Sequence, residues 1–316
     1  MESHTHKKLI EWLLQGDPAI QYQTQRDLLQ NDDKRIQGRI AKEGWGARFL
    51  AQRGAQTPQH WGQRFYQPKW ISTHYTLLDL KHLQIKPHVA EIQETLNIVL
   101  TENIAKDGGI SLGGDGQHSD ACVNGMILNY ACYFGVDPSH IQSLADCLLD
   151  SQLSDGGFNC NYNSKGARHS SMHSTISILE GFAEYEQQGY RYRLPEILEQ
   201  SAQAREFLLQ HRLYKSDHTG QVIKHGFTML SFPSRWFYDV LRALVYFAEN
   251  RIAFDPRMDD ALNLLQEKRR KEGRWPLQAK HAGQVHFDME SAGKASRWNT
   301  LRALRVFDFY RPGSIS

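Results

Sequence analysis

Asp137-Pro138-Ser139-His140-Ile141-Gln142-Ser143-Leu144-Ala145-Asp146-Cys147-Leu148-Leu149, followed by Asp150-Ser151-Gln152-Leu153-Ser154-Asp155-Gly156-Gly157-Phe158, reads as one helix and one tight turn. Pro138 sits where a missing N–H costs a helix nothing, in its first turn. Ile141, Leu144, Ala145, Leu148 and Leu149 recur at i, i+3, i+4, i+7 and i+8, the pattern of one buried helical face. The paired glycines then permit a turn that residues with a Cβ resist. A second helix is predicted from about Ser171 to Gln188, with Gly189 as its stop.

The same plan recurs outward from this unit. Ile92, Leu96, Val99, Leu100 and Ile104 share a face, then come Asp107-Gly108-Gly109 and an apolar stretch over 121–134. Met258, Ala261, Leu262 and Leu265 precede Glu272-Gly273-Arg274-Trp275, with a helix predicted over 298–310. Residues 194–213 and 240–248 make a pair with a longer connection, and Glu43-Gly44-Trp45-Gly46 with the helix predicted over 70–83 makes another. Residues 17–30 read as a remnant of a sixth. The loose period of about fifty to sixty residues lies at or just beyond the upper end of helical repeat arrays. It divides the chain into units of approximately 1–30, 31–86, 87–136, 137–190, 191–254 and 255–316.

The two helices of a pair differ in character. The first is amphipathic, whereas residues 240–248 are apolar almost all round and need cover on every side. An inner ring of buried helices wrapped by an outer amphipathic ring meets that need better than an open solenoid. The expected fold is therefore all-α: an α/α toroid, a closed ring of about five to six helical hairpins in one domain spanning 1–316.

Composition narrows the function. The 316 residues include 40% hydrophobic and 11% aromatic residues, and the formal net charge is +2. That suits a globular chain with a sizeable core and favours no highly charged partner. No cationic stripe is interleaved with aromatics, so nucleic acid is not expected. No window approaches the ~18 consecutive apolar residues of a membrane span, although peripheral contact stays open. The polar start lacks a signal-peptide core, and the four scattered cysteines do not read as a disulfide framework, so a cytoplasmic protein is expected.

The turn Gln152-Leu153-Ser154-Asp155-Gly156-Gly157-Phe158 resembles the Gln/Asp-Gly-Gly-aromatic turn of the terpenoid-cyclase and protein-prenyltransferase superfamily, which includes the squalene cyclases. Residues 107–109 and 272–275 are similar to it. The likeness covers most of residues 30–310 as architecture and only the turns as sharp motifs. It implies a central cavity with the turns and inner-helix starts at one mouth.

Two constellations occupy such positions. The first is His118-Ser119-Asp120-Ala121-Cys122 in one unit and Cys160, Arg168, His169 and His173 in the next. Asp120, Cys122 and His173 offer the carboxylate, thiolate and imidazole of a three-ligand zinc site with an open fourth position. Protein prenyltransferase β subunits resemble this, with an Asp-x-Cys pair opening one inner helix and a His opening the next. Lanthionine-synthetase cyclases resemble a Cys122, Cys160, His173 version, which makes Cys160 the alternative ligand. Cys132 and Cys147 read as core.

The second constellation is Ser234-Arg235-Trp236, echoed by Ser296-Arg297-Trp298. Arg235, Trp236, Arg297 and Trp298, with His286, Arg168 and His169, are candidate substrate-binding residues; guanidinium and indole suit a diphosphate and an apolar chain. The same residues also fit N-caps and core. Glu290 is a candidate acid or base if desolvated.

The expected function is an enzyme acting on an isoprenoid-like or other apolar small molecule, a metal-dependent transferase or cyclase with zinc at Asp120, Cys122 and His173. Squalene-type protonation is disfavoured, because no Asp-x-Asp-Asp run exists. One alternative is an α/α-toroid carbohydrate lyase or hydrolase using His74, Tyr75, His225, Glu290 and the tryptophans. The other is a toroid that binds lipid or peptide without catalysis.

Overall fold

The apolar face read in residues 137–158 folds as the sequence predicts. The computed structural model describes residues 4–112, 119–161 and 165–313. Asp137 caps the helix Pro138–Leu149 by accepting the Ser139 amide, and Ile141, Leu144, Ala145 and Leu148 are buried. Thirteen α-helices are described: α1 His4–Leu14, α2 Pro18–Leu28, α3 Lys34–Arg39, α4 Gly44–Leu50, α5 Thr73–His82, α6 Ala90–Glu102, α7 Ala121–Tyr133, α8 Pro138–Leu149, α9 Met172–Gln187, α10 Leu194–Gln210, α11 Val240–Glu249, α12 Asp259–Glu267 and α13 Arg297–Tyr310. Backbone pairing between extended residues is confined, among the described residues, to isolated bridges such as Ile104 with Ile110 and Gln152 with Phe158. The chain is all-α, and no described helix is long and apolar enough to cross a membrane.

The described residues fall into two compact units. The first comprises 1–51, 82–86 and 210–316, and the second 52–81 and 87–209.

In the second unit α7 packs along α9, and every residue of α7 is buried. Two glycines allow the approach. A Cβ on Gly181 would lie 2.4 Å from the Gly125 carbonyl oxygen, and one on Gly125 would lie 2.8 Å from the Ile178 Cα. The Asp-Gly-Gly turns are held by their own aspartates. Asp155 accepts the Ser170 amide at 2.8 Å, and Asp107 accepts the Ser119 amide at 3.0 Å, while Gly156 and Gly108 take φ of 87° and 81°.

Past each turn, the backbone is pinned to the helix that follows. The Ile110 amide donates to Asn124 Oδ1 at 2.7 Å, and the Phe158 amide to Thr175 Oγ1 at 3.1 Å. In the first unit the Trp275 amide donates to Thr300 Oγ1 at 3.0 Å. Asn124, Thr175 and Thr300 are each the fourth residue of their helix. The repeat therefore extends to hydrogen bonding.

The first unit departs from the expectation at one point. Glu43-Gly44-Trp45-Gly46, read as a turn, begins α4 instead, because Asp17 Oδ2 accepts the Trp45 amide at 2.7 Å and caps it from a distance. Within residues 17–30, α2 packs on α1, α3 and α13. Arg305 reaches back from α13 to pair with Asp27 of α2.

Candidate functional site

Asp120 is the N-cap of α7. Its Oδ1 accepts the amides of Cys122 and Val123 at 3.1 and 3.2 Å, which satisfies two N–H groups that lack intrahelical partners. The same oxygen accepts the Cys122 thiol at 3.0 Å. Cys160 lies past the Asp155 turn, where its amide donates to Ser174 Oγ at 3.1 Å and is thereby fixed to α9. One ligand atom each from Asp120, Cys122 and Cys160 lies within 4.8 Å of the others. The structure thus gathers the alternative ligand Cys160 with Asp120 and Cys122. His173, the second residue of α9 and half-buried, stands outside that set. His118 lies outside the described residues.

The two thiols differ in character. A hydrogen bond from Cys122 draws the Cys160 thiol down to about 7, against the opposing effects of burial and the Asp120 charge. Cys122 is pushed up by that same bond, by its burial and by Asp120. Near neutral pH Cys160 is therefore about half ionised while Cys122 keeps its proton. Cys132 and Cys147 are buried, as expected of core residues.

Tyr66, which its sequence context did not single out, stands beside this cluster. Burial raises its hydroxyl far above the ordinary tyrosine value, and the charges of Cys122, Asp120 and Cys160 add to the shift. The hydroxyl therefore stays protonated, 3.1 Å from the Tyr75 hydroxyl. The Tyr66 ring packs on His74, which meets the Tyr130 hydroxyl at 3.3 Å. His74 and Tyr75 thus come together, whereas His225 is exposed on a short 3-10 turn. Arg168 and His169 are exposed on the stretch leading into α9.

The second constellation assembles in the first unit. Arg235, His286 and Glu290 line one cleft, and Trp298 stacks on its Phe232. Glu290 is engaged with the start of α13: it accepts the Ser296 hydroxyl and the amides of Arg297, at 2.6 Å, and Trp298, at 3.4 Å. Burial nevertheless raises its carboxyl above the usual range. Arg297 turns instead to Trp12, donating to its carbonyl at 3.1 Å and lying over its ring. Trp61 and Trp275 are fully buried core.

No family model and no curated protein sequence matches the chain. Among solved structures it is similar to a glycosyl hydrolase family 88 protein from Bacteroides vulgatus, with a TM-score of 0.55 and 11% identity over 96% of this chain and 98% of that one. At that identity the likeness bears on fold alone. It does not reach the terpenoid-cyclase resemblance read from the turns. The chain has the α/α-toroid fold.

Proposed function

We propose that the chain is an enzyme whose reacting centre is a zinc site formed by Asp120, Cys122 and Cys160, and whose substrate is a carbohydrate. The observation that carries this reading is the convergence of one carboxylate oxygen and two sulfurs within 4.8 Å. Two thiolates and a carboxylate suit zinc, and three protein ligands leave a position for substrate. Zinc there would polarise a substrate oxygen or hold a thiolate.

The chain's own groups supply the rest. The Asp120 cap and the Ser174 hydrogen bond fix two ligands to adjacent helices, so the set is preorganised. The protonated Tyr66 hydroxyl offers a hydrogen-bond donor beside it, and the Tyr66, His74 and Tyr75 rings offer faces on which a sugar ring can lie. The likeness to a glycosyl hydrolase favours carbohydrate over the isoprenoid substrate expected from the turn motifs.

Elemental analysis tests the centre. One zinc per chain is expected in the wild-type protein, with loss in Cys122→Ser and Cys160→Ser; His173→Ala shows whether the imidazole adds a fourth ligand. Wild-type protein that stays metal-free under metal-replete preparation overturns the zinc site. For substrate, the loaded protein is assayed for reducing-sugar release from an oligosaccharide panel and for consumption of prenyl diphosphates. Turnover confined to the diphosphates would restore the prenyltransferase-like reading that Asp120-Ala121-Cys122 supports.

A further inference from the structure

Arg274 and Arg297, in the first unit, leave facing backbones. Pro276 pairs antiparallel with Ala295, and the Ser296 amide donates to the Trp275 carbonyl at 2.8 Å, a register that sets Arg274 opposite Arg297. Both side chains reach the same ring: the guanidinium carbon of Arg274 lies 4.1 Å from the Trp12 ring centroid and that of Arg297 4.6 Å. Like charges directly opposed across paired segments are unfavourable. The ring face attracts each cation but carries no charge that would neutralise either.

Among the described residues, the Arg274 guanidinium has the Trp12 ring and no carboxylate or carbonyl as partner. Its Nε is buried without a hydrogen-bond acceptor, and a buried polar atom in that state calls for an explanation. Arg297 uses its Nε on the Trp12 carbonyl, at 3.1 Å, which leaves its two terminal nitrogens unengaged among the described residues. Burial lowers the Arg297 guanidinium from its ordinary value, Glu290 opposes this, and the Arg274 charge adds to the lowering. The Glu290 oxygens are already committed to the Ser296 hydroxyl and the Arg297 and Trp298 amides. The surroundings hold the arginines in place and add to their charge. Gly16 clears the path of one, since a Cβ there would lie 2.7 Å from Arg297 Cδ. Arg270 donates to the Gly293 carbonyl at 2.7 Å and so ties the turn before Arg274 to the segment before Arg297. That turn, Lys268-Arg269-Arg270-Lys271-Glu272-Gly273-Arg274, holds five bases and one acid.

We propose that Arg274 and Arg297 together bind a small tetrahedral oxyanion carrying two charges, a phosphoryl or sulfuryl group, beside the Trp12 ring. Each guanidinium presents a fork of N–H donors that two oxygens of such a group can accept. An anion between opposed cations replaces their mutual repulsion by two attractions, and a doubly charged one neutralises both, which a carboxylate does not. The site shares no residue with the Asp120, Cys122 and Cys160 centre, so it does not rest on the zinc reading, and either can fail alone.

Inorganic phosphate and sulfate titrated calorimetrically into the full chain at low ionic strength test the site, with acetate as the singly charged comparison and phosphatidate vesicles as the lipid arm. Phosphate and sulfate are expected to bind at least tenfold more tightly than acetate. Arg274→Gln and Arg297→Gln should each weaken phosphate at least tenfold, with zinc content unchanged. Lys271→Gln removes the same charge from an exposed position of the same turn and should weaken it less than threefold. If Arg297→Gln does not fold, Arg274→Gln decides. Absence of binding of both anions at millimolar concentration, undiminished binding by Arg274→Gln, or an equal loss in Lys271→Gln overturns the site. Binding to the vesicles without binding of free phosphate overturns the small-anion assignment.

Discussion

Asp120 Oδ1 accepts the Cys122 thiol and the Cys122 and Val123 amides at once, so one oxygen both caps α7 and faces the sulfur. The two tasks separate by substitution. Asp120→Asn keeps a good cap and loses the charge, so its melting temperature should stay near wild type while its zinc content falls. Asp120→Ala should lose about 1 kcal/mol of stability in addition. Thermal unfolding beside elemental analysis reads both; full zinc content in Asp120→Asn would remove Asp120 from the ligand set.

Gly125 and Gly181 set how closely α7 and α9 approach. The nearest atom that a Cβ on Gly181 would meet is the Gly125 backbone carbonyl oxygen, which cannot swing aside, so Gly181→Ala should cost about 1–3 kcal/mol by overpacking. The better helix propensity of alanine, about 1 kcal/mol, opposes this and does not cancel it. Gly226→Ala is the control, since nothing lies within 4 Å of its Cβ position. Urea unfolding that ranks Gly181→Ala with the control would contradict this packing.

The pins past each turn make a third test. Thr175→Val keeps the shape of the side chain and leaves the buried Phe158 amide without its acceptor, which should cost about 1–3 kcal/mol. Thr300→Val should do the same to Trp275. Melting temperatures unchanged in both variants would show that these bonds do not hold the turns.

Those pins also show where sequence reading stops. Ile141, Leu144 and Leu148 announce their helix because burial is written into each residue at a fixed spacing. Asn124, Thr175 and Thr300 do the same job with two residue types, across loops of unequal length, so no local period reveals them. The candidate site divides similarly. Asp120 and Cys122 are two residues apart at a helix start, and their pairing is readable. Whether Cys160 or His173 joins them depends on how the chain between the Asp155 turn and α9 is folded, through bonds such as Cys160 N to Ser174 Oγ. Tyr66 carried no signal, because its place beside the cluster is set by tertiary packing.

Asp27 should govern part of the acid stability of the first unit. Burial acts to raise its carboxyl, but Arg305 and Arg26 outweigh that and hold it below the usual value. In the window between the lowered and the ordinary value, near pH 4 and below, the unfolded chain binds the proton more readily than the folded one. Stability therefore rises with pH there and is lost as pH falls through the folded value. Urea midpoints from pH 2.5 to 6 should show this limb in the wild type and a shallower one in Asp27→Asn; superimposable slopes would exclude the contribution.

Glu290 should act with the opposite sign. Its carboxyl is raised by burial, although the Ser296 hydroxyl and the Arg297 and Trp298 amides favour the charged form. Between the ordinary glutamate value and the raised one, the folded chain holds the proton that the unfolded chain has released. Stability then declines as pH rises through that window. Glu290→Gln can still accept from the Arg297 amide while carrying no titrating proton, so its stability relative to wild type should increase from pH 4 to pH 6. A difference that stays flat across that range would mean that the α13 cap offsets the cost of burial completely, leaving Glu290 a structural carboxylate with no stored drive to take up a proton.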